Sequence, residues 1–407
     1  MMDTKIIFPA IFTEAKIELP TSKSISNRLL LIHELGKFGF EGMNWSQADD
    51  TQILKNLLEN KYDIEDCEAG GTTFRFLLAL RCLQGKETIL TGSARLKERL
   101  IKPLVEALNS LGAKIEYLEK EGFPPLKLNP CSLTGNEIEI SSSISSQFIS
   151  ALLLIAPYLP TGLIISWKDQ PVSFSYVEMT IQLMKQYGVD VIQSENRLMV
   201  PSGKYQVTDF SVPADWSAAV FFFVMAAIKT NQPIHLKNIK SNTFQGDEKL
   251  LEWMINWGVE SKVVGDGLVI IGKRIPTLDF EYDFTNTPDL AQAFAVMAAV
   301  SNRRLLLTGL STLIGKETNR LLALKTELEK AGAEIAITQH SLEVQRGIRK
   351  ELLEKNIFNT YNDHRMVMAL SLLGLAGTPV VLDDISPVTK SFPNYFDELG
   401  KMGVEIT

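Results

Sequence analysis

Ala331-Gly332-Ala333 is one of five near-copies of a single phrase; the others are Leu111-Gly112-Ala113, Tyr187-Gly188-Val189, Trp257-Gly258-Val259 and Met402-Gly403-Val404. The glycines recur about every 70 residues, and Lys61-Tyr62-Asp63 stands as a degraded first copy. Six apolar stretches keep step with the phrase: Ser26 to His33, Phe74 to Leu83, Gln147 to Leu159, Ala218 to Ile228, Ala291 to Val300 and Met366 to Leu375. Such a period is longer than that of solenoid repeats, roughly 20–50 residues. It suits a βαβαββ unit with one apolar and one amphipathic helix, repeated six times. A unit of that size cannot bury its apolar helix alone, so the copies are expected to pack as two groups of three. The reading is an α/β protein of two lobes with a cleft.

Whole-chain properties narrow the class. A chain of 407 residues exceeds what one core usually serves. Its 45% apolar and 22% charged residues describe an ordinary folded chain. The longest apolar run, Ala218 to Ile228, is about half of the ~20 residues a membrane span needs, so it reads as a buried helix. Met1 to Phe12 lacks the basic and apolar pattern of a secretory leader, which points to a cytoplasmic protein without membrane partners. Cys67, Cys82 and Cys131 show no metal or redox spacing, so neither a disulfide framework nor a metal site is expected. A net charge of −7 provides no broad positive field for nucleic acid, and any anion must be held by a local cluster.

The starts of the apolar helices hold the informative residues. They read Ser22-Lys23-Ser24-Ile25-Ser26-Asn27-Arg28, Gly70-Gly71-Thr72-Thr73-Phe74-Arg75, Ser145-Ser146-Gln147, Asp215-Trp216-Ser217, Pro288-Asp289-Leu290 and Asn362-Asp363-His364-Arg365. Helix starts offer unpaired N–H groups and positive dipole character, so several together can hold anions. Capping by itself accounts for Ser145, Asp215 and Asp363. It is a weaker account of Lys23, Arg28, His364 and Arg365, because cations oppose the dipole there and call for an anion nearby. Loops before the second helices add Arg95 to Arg99, Ser173-Phe174-Ser175-Tyr176, Lys316-Glu317-Thr318-Asn319-Arg320 and Lys390-Ser391-Phe392-Pro393. Asp289 and Glu317 lie among these cations, a setting that tunes carboxylates for proton transfer. Gly70-Gly71-Thr72-Thr73 lacks the spacing of a nucleotide-binding loop.

Taken together, these segments resemble the EPSP synthase family of enolpyruvyl transferases over nearly the full length. Lys316-Glu317-Thr318-Asn319-Arg320 and Asn362-Asp363-His364-Arg365-Met366, with Ser22-Lys23-Ser24 upstream, carry the resemblance most specifically. It implies a two-lobed inside-out α/β barrel of six βαβαββ units, three per lobe, with the active site in the interlobe cleft. Chain crossings would fall near Pro20 and Pro213, so that 1–19 joins 214–407 and 20–213 forms the other lobe. The implied reaction is transfer of the enolpyruvyl group of phosphoenolpyruvate to the 5-hydroxyl of shikimate 3-phosphate, by one chain without cofactor or metal. Lys23, Asp289, Glu317 and His364 would be the catalytic residues. Ser24, Arg28, Ser145, Ser146, Gln147, Ser173 and Tyr176 would contact shikimate 3-phosphate. Arg95, Arg320, Arg365 and Lys390 would grip phosphoenolpyruvate, and Gly71 and Lys316 would be further substrate-binding residues. Lobe closure on shikimate 3-phosphate is expected. Gly71 implies inhibition by glyphosate.

Three positions depart from the family pattern: Ala69 stands where Asn is usual, Asn319 where Asp is usual, and Leu100 where Pro is usual. Ala69 puts one phosphoenolpyruvate-side contact in question. The sister transferase acting on UDP-N-acetylglucosamine typically carries a Cys where this chain has Ser93-Ala94-Arg95-Leu96, which argues against that alternative. The acidic balance opposes an RNA-end-processing relative. The joint presence of Lys23, Asp289, Glu317, His364 and Lys390 opposes a non-catalytic metabolite binder.

Overall fold

The structure is a computed structural model and describes residues 3–141, 145–169, 171–241, 243–274 and 278–407. The chain divides into two compact units, one comprising Ser22–Val212 and the other Met1–Thr21 with Pro213–Thr407.

Five of the six repeats carry the same four-stranded sheet. In the second repeat the strands are Ile64–Asp66, Thr88–Thr91, Lys114–Tyr117 and Leu126–Asn129, with helices Gly71–Gln84 and Lys102–Ser110 between them. The first two strands run parallel, and the fourth lies antiparallel between the second and the third. The third repeat copies this order with strands Glu137–Glu139, Leu163–Ser166, Ile192–Ser194 and Arg197–Val200. The fifth copies it with Phe280–Asp283, Leu305–Thr308, Glu334–Ile337 and Leu342–Arg346.

In the remaining two sheets, the N-terminal segment supplies what the later chain lacks. Lys16–Glu18 is the parallel first strand beside Ile234–Lys237 in the fourth repeat. Thr4–Ile7 fills the central antiparallel place between Val380–Leu382 and Glu405–Ile406 in the sixth. Residues 3–19 therefore complete two sheets of the unit to which they belong. The first repeat keeps its helices, Lys23–Gly36 and Asp49–Glu59, but has no four-stranded sheet among the described residues. Its connection from Lys37 to Ala48 holds Gly39 and Gly42 and no alternating apolar run that could form strands.

Packing explains the two kinds of helix. Trp216–Ile228 and Ala291–Ser301 are apolar all round, and nearly every residue in them is buried. Phe221, Phe222 and Phe223 are each at most 1% exposed, and burying each is worth roughly 1.5–3 kcal/mol. The second helices are amphipathic and end in the repeated phrase. After Lys102–Ser110, Gly112 (φ 110°) donates to Asn109 C=O at 3.0 Å and Ala113 to Leu108 C=O at 3.0 Å. Val189, Ala333 and Val404 make the same return bonds to Met184, Leu328 and Leu399. This is a Schellman cap, and its left-handed position favours glycine.

Candidate active site

The unit formed by Ser22–Val212 gathers the starts of three apolar helices. Ser22 caps Lys23–Gly36 by accepting from Ile25 N–H. Arg28, one turn on, is 2% exposed and meets only neutral oxygens. Its Nε donates to Thr180 Oγ1 at 2.7 Å, Nη1 to Ser24 C=O at 2.7 Å, and Nη2 to Tyr176 C=O at 3.0 Å and Ser150 Oγ at 3.3 Å. These contacts bring Ser24, Arg28 and Tyr176 together. With no acid among those partners, burial pulls the Arg28 guanidinium down to about 10. Among the described residues, four of its five donors are used.

Two further groupings lie in the same unit. Gln147, capped by Ser145 Oγ at 3.3 Å, accepts from Arg75 Nη1 at 2.7 Å and donates to Thr72 Oγ1 at 2.9 Å. Gly71 begins helix Gly71–Gln84 against two guanidiniums: a Cβ there would fall 2.5 Å from Arg99 Nη1 and 2.7 Å from Arg75 Nη1. The anion that Lys23 calls for is Asp50, 3.0 Å from its Nζ. Arg95, 40% exposed, pairs with Glu98 at 2.8 Å. Ser146 is buried at a helix start. Ser173, also buried, has a positive φ of 54°.

In the other unit the expected residues form one connected network. Arg320, first residue of helix Arg320–Lys330, is 1% exposed in its side chain and holds three carboxylates. Its Nε donates to Asp363 Oδ2 at 2.8 Å, Nη2 to Asp363 Oδ1 at 3.1 Å and Glu317 Oε2 at 2.9 Å, and Nη1 to Asp289 Oδ1 at 3.3 Å. Burial opposes the charge of Arg320, but Asp363, Glu317 and Asp289 outweigh it and raise the group above its ordinary value. Arg365 Nη2 reaches Asp289 Oδ2 at 2.9 Å while its Nη1 donates to the Asp289 carbonyl at 2.9 Å. Lys316 Nζ lies 4.0 Å from Asp289 Oδ1. His364 is buried with Nδ1 3.9 Å from Asp363 Oδ1. Lys390 Nζ donates to the Asn362 carbonyl at 2.7 Å and to its Oδ1 at 2.8 Å.

Asp363 both caps, accepting Arg365 N–H at 2.9 Å, and binds Arg320. Capping and ion pairing are two uses of one side chain. Asn319, one of the departures, accepts Leu322 N–H at 3.2 Å, so the cap of helix Arg320–Lys330 survives the change from Asp.

Sequence reasoning missed several participants. Asp50 and Arg75 were legible only as a helix-start acid and an ordinary helix cation. Asp247 sits in the short 3-10 helix Gly246–Lys249, 4% exposed, and receives a short hydrogen bond from Ser217 Oγ. Burial and then the charge of Asp289 push its carboxyl up to about 7. Thr180 and Ser150, which hold Arg28, stand inside helices where a hydroxyl in sequence gives no signal. Four non-glycine residues with positive φ lie in or beside these clusters: Ser173, Phe244 (65°), Tyr361 (56°) and Asn362 (52°). Such strain persists only where the surroundings impose it, and it concentrates at functional sites. Among the described residues no cluster of His, Cys, Asp and Glu is arranged to hold a metal, and no helix is long and apolar enough to cross a membrane.

Repeat architecture and carboxylate–arginine clusters at helix starts define a two-unit α/β repeat protein. The family model described as EPSP synthase (3-phosphoshikimate 1-carboxyvinyltransferase) matches residues 17–399. A relative named 3-phosphoshikimate 1-carboxyvinyltransferase from Bacteroides fragilis is 39% identical over 97% of this chain and 96% of its own. One of the same name from Photobacterium profundum is 34% identical over 98% and 99%. The solved EPSP synthase structure from Acinetobacter baumannii covers 100% of both chains with a TM-score of 0.77 at 19% identity, a likeness of fold. The chain belongs to the EPSP synthase family.

Proposed function

We propose that the protein transfers the enolpyruvyl group of phosphoenolpyruvate to the 5-hydroxyl of shikimate 3-phosphate, releasing phosphate. The observation that carries this reading, beside family membership, is Arg320 holding Asp289 and Glu317 on its two terminal nitrogens. The reaction needs a proton acceptor and a proton donor close together, and one guanidinium keeps these two carboxylates adjacent. Asp289 takes the proton of the attacking hydroxyl as its oxygen bonds to C2 of phosphoenolpyruvate, while Glu317 delivers a proton to C3. The product of addition is a tetrahedral ketal phosphate. Glu317 then recovers the C3 proton as the C2–O bond to phosphate breaks. Lys23 and His364 stabilise negative charge during these steps. Protons move and no redox step occurs, so the sequence requires no redox cofactor.

Both substrates carry a phosphate and a carboxylate, which gives the cations their use. In this reading, Ser24, Arg28, Ser145, Ser146, Gln147, Ser173 and Tyr176 bind shikimate 3-phosphate. Gly71, Arg95, Lys316, Arg320, Arg365 and Lys390 bind phosphoenolpyruvate. The reading extends to a cytoplasmic location and to action as a single chain, the latter because both clusters belong to one polypeptide. Phosphate release measured with each substrate omitted in turn tests it. Release should require both substrates and fall by about 10²-fold or more in Glu317→Ala and Lys23→Ala. Turnover with UDP-N-acetylglucosamine in place of shikimate 3-phosphate, or none with either, would refute it.

A further inference from the structure

Glu327 lies two turns along the helix that Arg320 begins, and its side chain is fully buried. Its Oε1 accepts the Tyr361 hydroxyl at 2.6 Å, and its Oε2 accepts Asn359 N–H at 3.0 Å and Lys330 Nζ at 2.7 Å. Two of these three donors belong to the segment that leads into Asp363-His364-Arg365. That segment turns sharply: Asp363 N–H donates to Thr360 C=O at 3.0 Å, and both central residues, Tyr361 and Asn362, have left-handed φ. This turn sense suits glycine or asparagine, so tyrosine at the first central place is unfavourable by itself. The preference of residue 361 therefore opposes the turn, and tertiary contacts must hold it.

We infer that Glu327 is a positioning residue, whose buried carboxylate anchors the Tyr361–Asn362 turn so that Asp363, His364 and Arg365 are presented to the reaction. The inference rests on the reading given under Proposed function. Helix Arg320–Lys330 grips the turn twice: Arg320 clasps Asp363 beyond it, and Glu327 clasps Asn359 and Tyr361 before and within it. Lys390 adds a third hold, on Asn362. Burial, and then the neighbouring Glu327 carboxylate, push the Tyr361 phenol up, so its hydroxyl keeps the proton it donates.

The test is steady-state kinetics of Glu327→Ala, Glu327→Gln and Tyr361→Phe, with each substrate varied in turn. Tyr361→Phe and Glu327→Ala should raise KM for phosphoenolpyruvate by about tenfold while KM for shikimate 3-phosphate changes less than about twofold. The double variant Glu327→Ala/Tyr361→Phe should be no worse than Glu327→Ala alone, because the two act through one contact. If Glu327→Ala does not fold, Tyr361→Phe, which removes a single oxygen, decides the matter. A lowered melting temperature with both KM values unchanged, or both raised alike, overturns the inference. If the unaltered protein releases no phosphate, the activity reading fails, and crystal structures of Glu327→Gln and the unaltered chain decide the anchoring. A turn kept left-handed, with Asp363 still on Arg320, then overturns it, whereas a relaxed turn supports it.

Discussion

At the scale of single residues, the site is built from charges that hold one another. Arg320 balances Asp363, Glu317 and Asp289 while almost wholly buried. Removing it takes the bidentate cation from the fully buried Asp363 and a partner from Glu317, while Asp289 keeps Arg365, so Arg320→Met is expected to cost about 3–5 kcal/mol in chemical denaturation. A loss under about 1 kcal/mol would contradict the balance described. Asp247 behaves oppositely, since nothing fully compensates its burial. Its carboxyl is pushed up to about 7 against an unfolded value of ~3.9, so its neutral form suits the fold. That contribution to stability is present below about pH 4 and is lost as pH rises through about 7. Asp247→Asn should therefore raise the melting temperature more at pH 8 than at pH 5, by a difference of about 2–3 kcal/mol in stability. Equal effects at the two pH values would disprove the assignment.

Individual elements show how the repeat phrase works. The glycine after the second helix of each repeat from the second to the sixth adopts a conformation that other residues enter at a cost, and its neighbours differ from copy to copy. At Gly332 (φ 85°) a Cβ would lie 2.9 Å from Arg349 Cγ and Leu352 Cδ1. At Gly403 (φ 86°) the nearest atoms would be Thr13 Oγ1 at 3.1 Å and Pro9 Cγ at 3.6 Å. Gly332→Ala should thus cost about 1–2 kcal/mol from backbone strain plus a steric part, and Gly403→Ala should cost less. Thermal melting of the two variants compares them directly, and the reverse order would be inconsistent with this packing. The strained Tyr361–Asn362 turn is the counterpart at the functional end of a repeat, held there by side chains and not by glycine.

For the whole molecule, the position of residues 3–19 matters most. These residues supply one strand to each of two sheets in the unit containing Pro213–Thr407. Deleting them would leave Val380–Leu382 without its antiparallel neighbour and Ile234–Lys237 without its parallel one. Hydrogen exchange should then show lost protection in the sheets of the fourth and sixth repeats, with the sheets of Ser22–Val212 unchanged. Uniform loss of protection would mean that the two units do not unfold separately.

The repeat phrase was legible in sequence because a Schellman cap needs a left-handed residue and glycine meets that need locally. The apolar helices were legible because a helix buried on every side must be apolar on every side. The cations at helix starts stood out because they oppose the local dipole, and those starts do carry the clusters. Other features are tertiary. That Lys23 meets Asp50, that Arg28 meets neutral oxygens, and that Arg320 gathers three acids depend on contacts between segments far apart in the chain. Burial sets the titration of Asp247, and burial is a property of the packed chain. Local conformational preference is written residue by residue, whereas charge compensation and dielectric environment exist only once distant segments have met.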